Sequence, residues 1–172
     1  MDRDELRAVQ APIKERYRED PDAALVTLRS HGSINDESLT CSVETGRAMV
    51  EAGLHPATGG DGLTACSGDL LLDALVACAG VTVRAVATSM GIEVRDATVS
   101  AEGDIDFRGT LGVDREAPVG FRDIRLRIVV DADTDDTTLE KLLELTRRYC
   151  VVYQTLVTPP PVELTMERQV SD

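Results

Sequence analysis

The chain has 172 residues, 42% of them hydrophobic, which is enough for one domain with a real core and too apolar for a disordered segment. Its formal net charge of −13 repels phosphate backbones and anionic bilayers, and with 3% aromatic residues and no Trp it has few platforms for stacking bases. Nucleic-acid and membrane-surface roles are therefore set aside.

In chain order, residues 2–19 read as two short helical pieces, with Pro12 in the first turn of the second and Pro21 ending it. Residues 1–22 are expected to form an N-terminal helical arm, and residues 23–172 the single domain. The opening Met-Asp-Arg-Asp-Glu-Leu lacks the basic and apolar regions of a secretory signal, so a cytoplasmic location is expected. Residues 24–29, 39–43 and 47–52 read as strands of a meander, separated by Gly32, Asn35-Asp36 and Gly46. The glycine-bearing stretch from His55 to Gly62 reads as a loop feeding a helix.

That helix is the strongest signal in the chain. Ser67 is the expected N-cap, Asp69 puts a negative charge in the first turn, and Gly91 can close the C-terminus. Leu70, Leu71, Leu72, Leu75, Val76, Val81, Val83, Val86 and Met90 occupy nearly every face, and a helix apolar all round must be buried on all sides. One small domain has too little material for that, so a homodimer is expected, with the helix between its own sheet and a partner subunit. Its longest uncharged stretch, 74–83, falls far short of the ~20 residues that span a bilayer.

Beyond Gly91, residues 94–105 and 121–131 read as strands; in the second, Ile124, Leu126, Ile128 and Val130 alternate with Arg125, Arg127 and Val129. Residues 131–148 read as a helix with acids early and Arg147-Arg148 late, matching its dipole. A last strand is expected where Val162, Leu164 and Met166 alternate with Glu163, Thr165 and Glu167. The fold class is α+β. Cys41, Cys66, Cys78 and Cys150 contain no C-x-x-C pair, and His31 and His55 have no metal-spaced partners, so neither a zinc framework nor a cofactor is expected.

The run Gly59-Gly-Asp-Gly, then Asp69-Leu-Leu-Leu-Asp-Ala-Leu-Val-Ala-Cys78 and Gly91-Ile, together with Tyr149-Cys150-Val-Val-Tyr-Gln-Thr-Leu156, resembles the osmotically inducible protein C and organic hydroperoxide resistance (OsmC/Ohr) family. The combination carries the resemblance: a cysteine in mid-helix answered by a second after a charged helix. It implies curved antiparallel sheets wrapped around buried central helices in an intertwined homodimer, with sites at the subunit interface. It also implies thiol-dependent reduction of organic, lipophilic hydroperoxides, with Cys78 the peroxidatic and Cys150 the resolving thiol, recycled by a dithiol reductant. Were Cys150 to open a short helix as in the family, that N-terminus would favour its thiolate. Asp69 stands near the place of a family glutamate that orients an activating arginine. Arg29, Arg47 and Arg84 are the candidates for that arginine, and an apolar setting alone would raise the Cys78 pKa. Cys41 and Cys66 read as packing residues. The alternative from a different class is a non-catalytic dimer that binds a small hydrophobic ligand in its interface cleft.

Overall fold

In the computed structural model the described residues are 2–19, 32–34, 40–44 and 49–168. The chain runs α1 (Arg3–Glu19), β1 (Gly32–Ile34), β2 (Thr40–Glu44), β3 (Met49–Gly53), β4 (Ala65–Cys66), α2 (Ser67–Met90), β5 (Val94–Ile105), α3 (Phe107–Thr110), β6 (Phe121–Ala132), α4 (Asp136–Tyr149) and α5 (Val151–Val157). The α+β class expected from the sequence is the class observed. The expected strand at 24–29 lies outside the described residues.

The helical arm is one helix rather than two, with Pro12 inside it. Its start is held firmly: the Asp2 carboxylate accepts from the Asp4 and Glu5 amides, and the Glu5 carboxylate accepts from the Asp2 amide. This reciprocal cap satisfies the first orphan donors, while Pro12, in the helix interior, supplies no amide for the bond to the carbonyl four residues back. The helix also rests on α2 instead of standing free.

β2 and β3, the second and third strands of the expected meander, pair antiparallel; β2 also pairs antiparallel with β1, which lies where the sequence suggested a turn at Gly32, and β3 pairs in parallel with the two-residue β4, Gly53 opposite Cys66. This short parallel contact delivers the chain to α2. Between β3 and β4, His55 caps a single 3-10 turn, its Nδ1 accepting from the Ala57 amide at 3.0 Å, and its ring stacks on Phe107 at 4.8 Å. That gives His55 a structural task.

The α2 boundaries follow the sequence with one correction. Cys66, not Ser67, occupies the N-cap, and it makes no side-chain capping bond. The extended pairing of Cys66 with Gly53 moves the last non-helical residue one position back. At the other end Gly91 adopts φ 74°, the left-handed conformation that favours glycine, and the Ile92 amide returns to the Ala87 carbonyl at 2.9 Å.

Within the chain α2 buries a single stripe, Leu75, Ala79, Val83 and Ala87, each one turn from the next. Val83 and Ala87 meet Leu142 of α4 in the main core cluster, with Ile128, Leu139 and Val94 packed against it. By length and composition alone α2 could cross a bilayer, and 22% of its most apolar window is buried within the chain. Asp69, Asp73 and Arg84 interrupt the run. Val81, on the uncovered side, is 73% exposed.

β5 and β6 form a long antiparallel hairpin, with Ile124, Leu126, Ile128 and Val130 facing inward. β6 continues to Ala132, so α4 begins five residues later than the sequence suggested, where Asp135 caps the Thr138 amide at 2.7 Å. The expected last strand is absent: residues 159–168 have no regular structure, and Val162, Leu164 and Met166 are almost fully exposed. Alternation makes a strand only where a neighbour supplies backbone partners, and none lies beside this segment among the described residues.

Candidate active site

Cys78 sits in the middle of α2, on the side that α5 crosses. Cys150 is the single residue between α4 and α5, closing one helix and opening the next in an extended conformation, φ −74° and ψ 106°. Its amide donates to the Thr146 carbonyl at 3.0 Å, and its carbonyl accepts from the Gln154 amide at 2.9 Å. One non-helical residue between two helices makes a corner, and the corner turns α5 back onto α2. The result brings two free thiols, far apart in sequence, into hydrogen-bonding contact.

The two thiols are shifted in opposite directions. Burial pushes Cys78 up, but hydrogen bonds from the Val152 amide, the Cys150 thiol and the Val151 amide, with the Thr82 hydroxyl beside it on the Cys78 carbonyl at 2.7 Å, together hold it below the ordinary cysteine value. Burial likewise pushes Cys150 up; its hydrogen bond to Cys78 and the negative charge there add to the rise, outweighing the Tyr153 amide. The proton of the pair therefore stays on Cys150. This reverses the expectation that the start of α5 would favour a Cys150 thiolate, because burial of Cys150, which is 1% exposed, and its contact with Cys78 outweigh the Tyr153 and Val152 amides.

These amide donors are what sequence reasoning missed. It required a cation at Cys78, whereas none is among the groups that lower its pKa in the described residues. Arg29 and Arg47 lie outside the described residues. Arg84 donates to the Val94 carbonyl at 3.1 Å, and six positions along a helix put it well around the axis from Cys78. The one available signal was the reading of Cys150-Val-Val-Tyr as a helix start, which pairs naturally with an acceptor anion.

Asp69 is exposed in the first turn of α2. Nine residues separate it from Cys78, roughly 13 Å along the axis and half a turn away, so within one chain it does not meet the thiols. Cys66 lies further off, about 18 Å along the same axis, and Cys41 is in β2 opposite Ala52. Only Cys78 and Cys150 are brought together among the cysteines whose side chains are described.

Beside the pair lies an open cleft of 610 Å³ between β6, α2, α4 and α5. Cys150 is in its wall with Leu75, Ala79, Ile124, Leu126 and Leu156, while Arg122, Arg127 and Arg147 also line it. An apolar trough with guanidinium groups suits a molecule with an alkyl body. No group of three or more metal-ligating side chains occurs among the described residues. Chemically, the arrangement offers a nucleophilic sulfur, a protonated sulfur touching it and an apolar approach.

The family model described as OsmC-like protein matches residues 59–165, more than half of the chain and inclusive of both thiols. Solved structures share the fold at low identity. The OsmC-like protein from Mycoplasma pneumoniae is similar with TM-score 0.65 and 15% identity, over 78% of this chain and 89% of that one. An organic hydroperoxide resistance protein OsmC from Legionella pneumophila gives 0.61 and 17%, over 78% and 92%. The organic hydroperoxide resistance protein OhrB of Bacillus subtilis gives 0.52 and 18%, over 79% and 94%. No curated protein matches the sequence with significance.

Proposed function

The chain belongs to the OsmC-like family, and on that premise we propose that it is a thiol-dependent peroxidase that reduces organic hydroperoxides in oxidative-stress defence. The single observation that carries this reading is the contact of two thiols whose ionisation is already divided, Cys78 lowered and Cys150 raised.

The Cys78 thiolate attacks the outer peroxide oxygen of ROOH. The O–O bond breaks, RO⁻ takes a proton to leave as ROH, and Cys78 becomes a sulfenic acid. Cys150 then attacks the sulfenic sulfur, water leaves with the Cys150 proton, and a Cys78–Cys150 disulfide closes. A cellular dithiol supplies the two electrons and two protons that restore both thiols, as expected for a protein working in the reducing cytoplasm. Contact between the sulfurs matters because a sulfenic acid left uncaptured oxidises further to forms no thiol reduces. No metal or cofactor takes part in these steps.

The working unit in this reading is a homodimer. Exposed Val81 on α2 and exposed Val162, Leu164 and Met166 near the C-terminus support it, since together they leave large apolar area in water at ~25 cal/mol per Å². The cleft favours a second reading: it is lined by Cys150 but not by Cys78, as a pocket for a small hydrophobic ligand would be if no chemistry occurred. Consumption of cumene hydroperoxide in the presence of a dithiol separates the two: turnover supports the enzyme, and saturable binding without turnover supports the carrier.

A further inference from the structure

Gln154 does not touch the thiols, yet two of its groups hold the corner on which they depend. Its amide donates to the Cys150 carbonyl at 2.9 Å, and its side-chain Nε2 donates to the Arg147 carbonyl at 2.7 Å. The Arg147 carbonyl is one of the last four of α4, which no helical amide serves once the helix stops at Tyr149. The neighbouring Thr146 carbonyl is served by the Cys150 amide. A side chain anchored one turn into α5 thus caps α4 across the break, linking the two helices on either side of Cys150.

We propose that Gln154 is a positioning residue for the thiol pair: its cap on the Arg147 carbonyl sets the angle at which α5 leaves α4, and so holds Cys150 and the first amides of α5 against Cys78. The inference rests on the reading of Cys78 as the reacting thiol. The groups that face Cys78 are the Thr82 hydroxyl from α2, which donates to the Cys78 carbonyl at 2.7 Å, the Val151 and Val152 amides from α5, and Cys150, the titratable group in contact with it among the described residues. Three of the four lie on the segment that Gln154 steers. Thr155, the next residue, donates its hydroxyl to the Val151 carbonyl inside α5 and does not bridge to α4. It therefore serves as a control of equal proximity.

The test uses Gln154→Met, which keeps the length and apolar stem but has no donor, together with Gln154→Ala and the control Thr155→Val. In the full-length reduced protein, the rate of Cys78 alkylation by iodoacetamide is followed against pH by peptide mass spectrometry, with circular dichroism as a check on folding. The expected result is a midpoint for Cys78 raised by about one pH unit in Gln154→Met, with unchanged circular dichroism and the wild-type midpoint in Thr155→Val. Should Gln154→Ala fail to fold, Gln154→Met decides alone. A wild-type midpoint in folded Gln154→Met overturns the inference while leaving the peroxidase reading intact. A raised midpoint in a protein whose wild type consumes no hydroperoxide supports the positioning role and sinks the enzymatic reading instead.

Discussion

Cys78 is the more readily ionised of two touching thiols, Cys78 and Cys150: they hydrogen-bond each other, and the same contact that lowers Cys78 raises Cys150. Amides of α5 serve both sulfurs, and the asymmetry comes from burial of Cys150 and from the contact itself. Val151 and Val152 donate to the Cys78 sulfur, and 1% exposure leaves Cys150 without water to offset its own burial. A pair arranged this way loses its first proton from Cys78.

Selective labelling follows from that division. Alkylation rate tracks the thiolate, so as pH rises Cys78 reacts first and Cys150 only at higher pH, where its own raised pKa is reached. Cys150→Ala removes a hydrogen bond to the Cys78 sulfur and is expected to move the Cys78 midpoint upward. Peptide mass spectrometry over a pH series measures both; equal labelling of the two thiols at every pH would contradict the division.

The roles predict distinct variant phenotypes. Cys78→Ser is expected to abolish hydroperoxide consumption, a fall of at least a hundredfold, with circular dichroism unchanged. Cys150→Ser is expected to allow one turnover and then stall with sulfenic or sulfinic acid at Cys78, seen as added oxygen on that peptide. Steady multiple turnover by Cys150→Ser with a dithiol would remove the resolving role.

Much of the fold was legible because its cues are local. The alternation of Ile124, Leu126, Ile128 and Val130 marked β6, and Gly91 marked the end of α2 at the residue where the left-handed turn occurs. The failures are tertiary. Propensity alone puts a boundary at Pro12, yet the helix passes through it and rests on α2. The strand expected around Val162 needs a neighbour that the described part of one chain does not provide. At the site, residue types pointed to Cys78 and Cys150 through the family resemblance, but the Val151 and Val152 donors are main-chain groups that leave no trace in side-chain chemistry.

The core carries its own prediction. Leu142 is 2% exposed and packs on Val83 and Ala87 at the contact of α4 with α2. Leu142→Ala is expected to cost about 2–5 kcal/mol, read as a lowered midpoint in urea denaturation. A loss under about 0.5 kcal/mol would mean that α4 is not docked as described.

Dimerisation is tested on the uncovered face of α2. Wild-type protein is expected to show twice the chain mass by light scattering at micromolar concentration, and Val81→Glu, which places a charge on that 73% exposed apolar site, is expected to weaken the dimer at least tenfold. A monomeric wild type, or a Val81→Glu dimer of unchanged affinity, would remove α2 from the interface.

The most direct measurement adds one equivalent of cumene hydroperoxide to reduced protein and maps the cysteines by mass spectrometry under non-reducing conditions. The expected result is loss of two hydrogens from one chain and a single crosslink joining the Cys78 and Cys150 peptides, reversed by a dithiol. Both thiols left reduced, or a crosslink that leaves out Cys78, would contradict it.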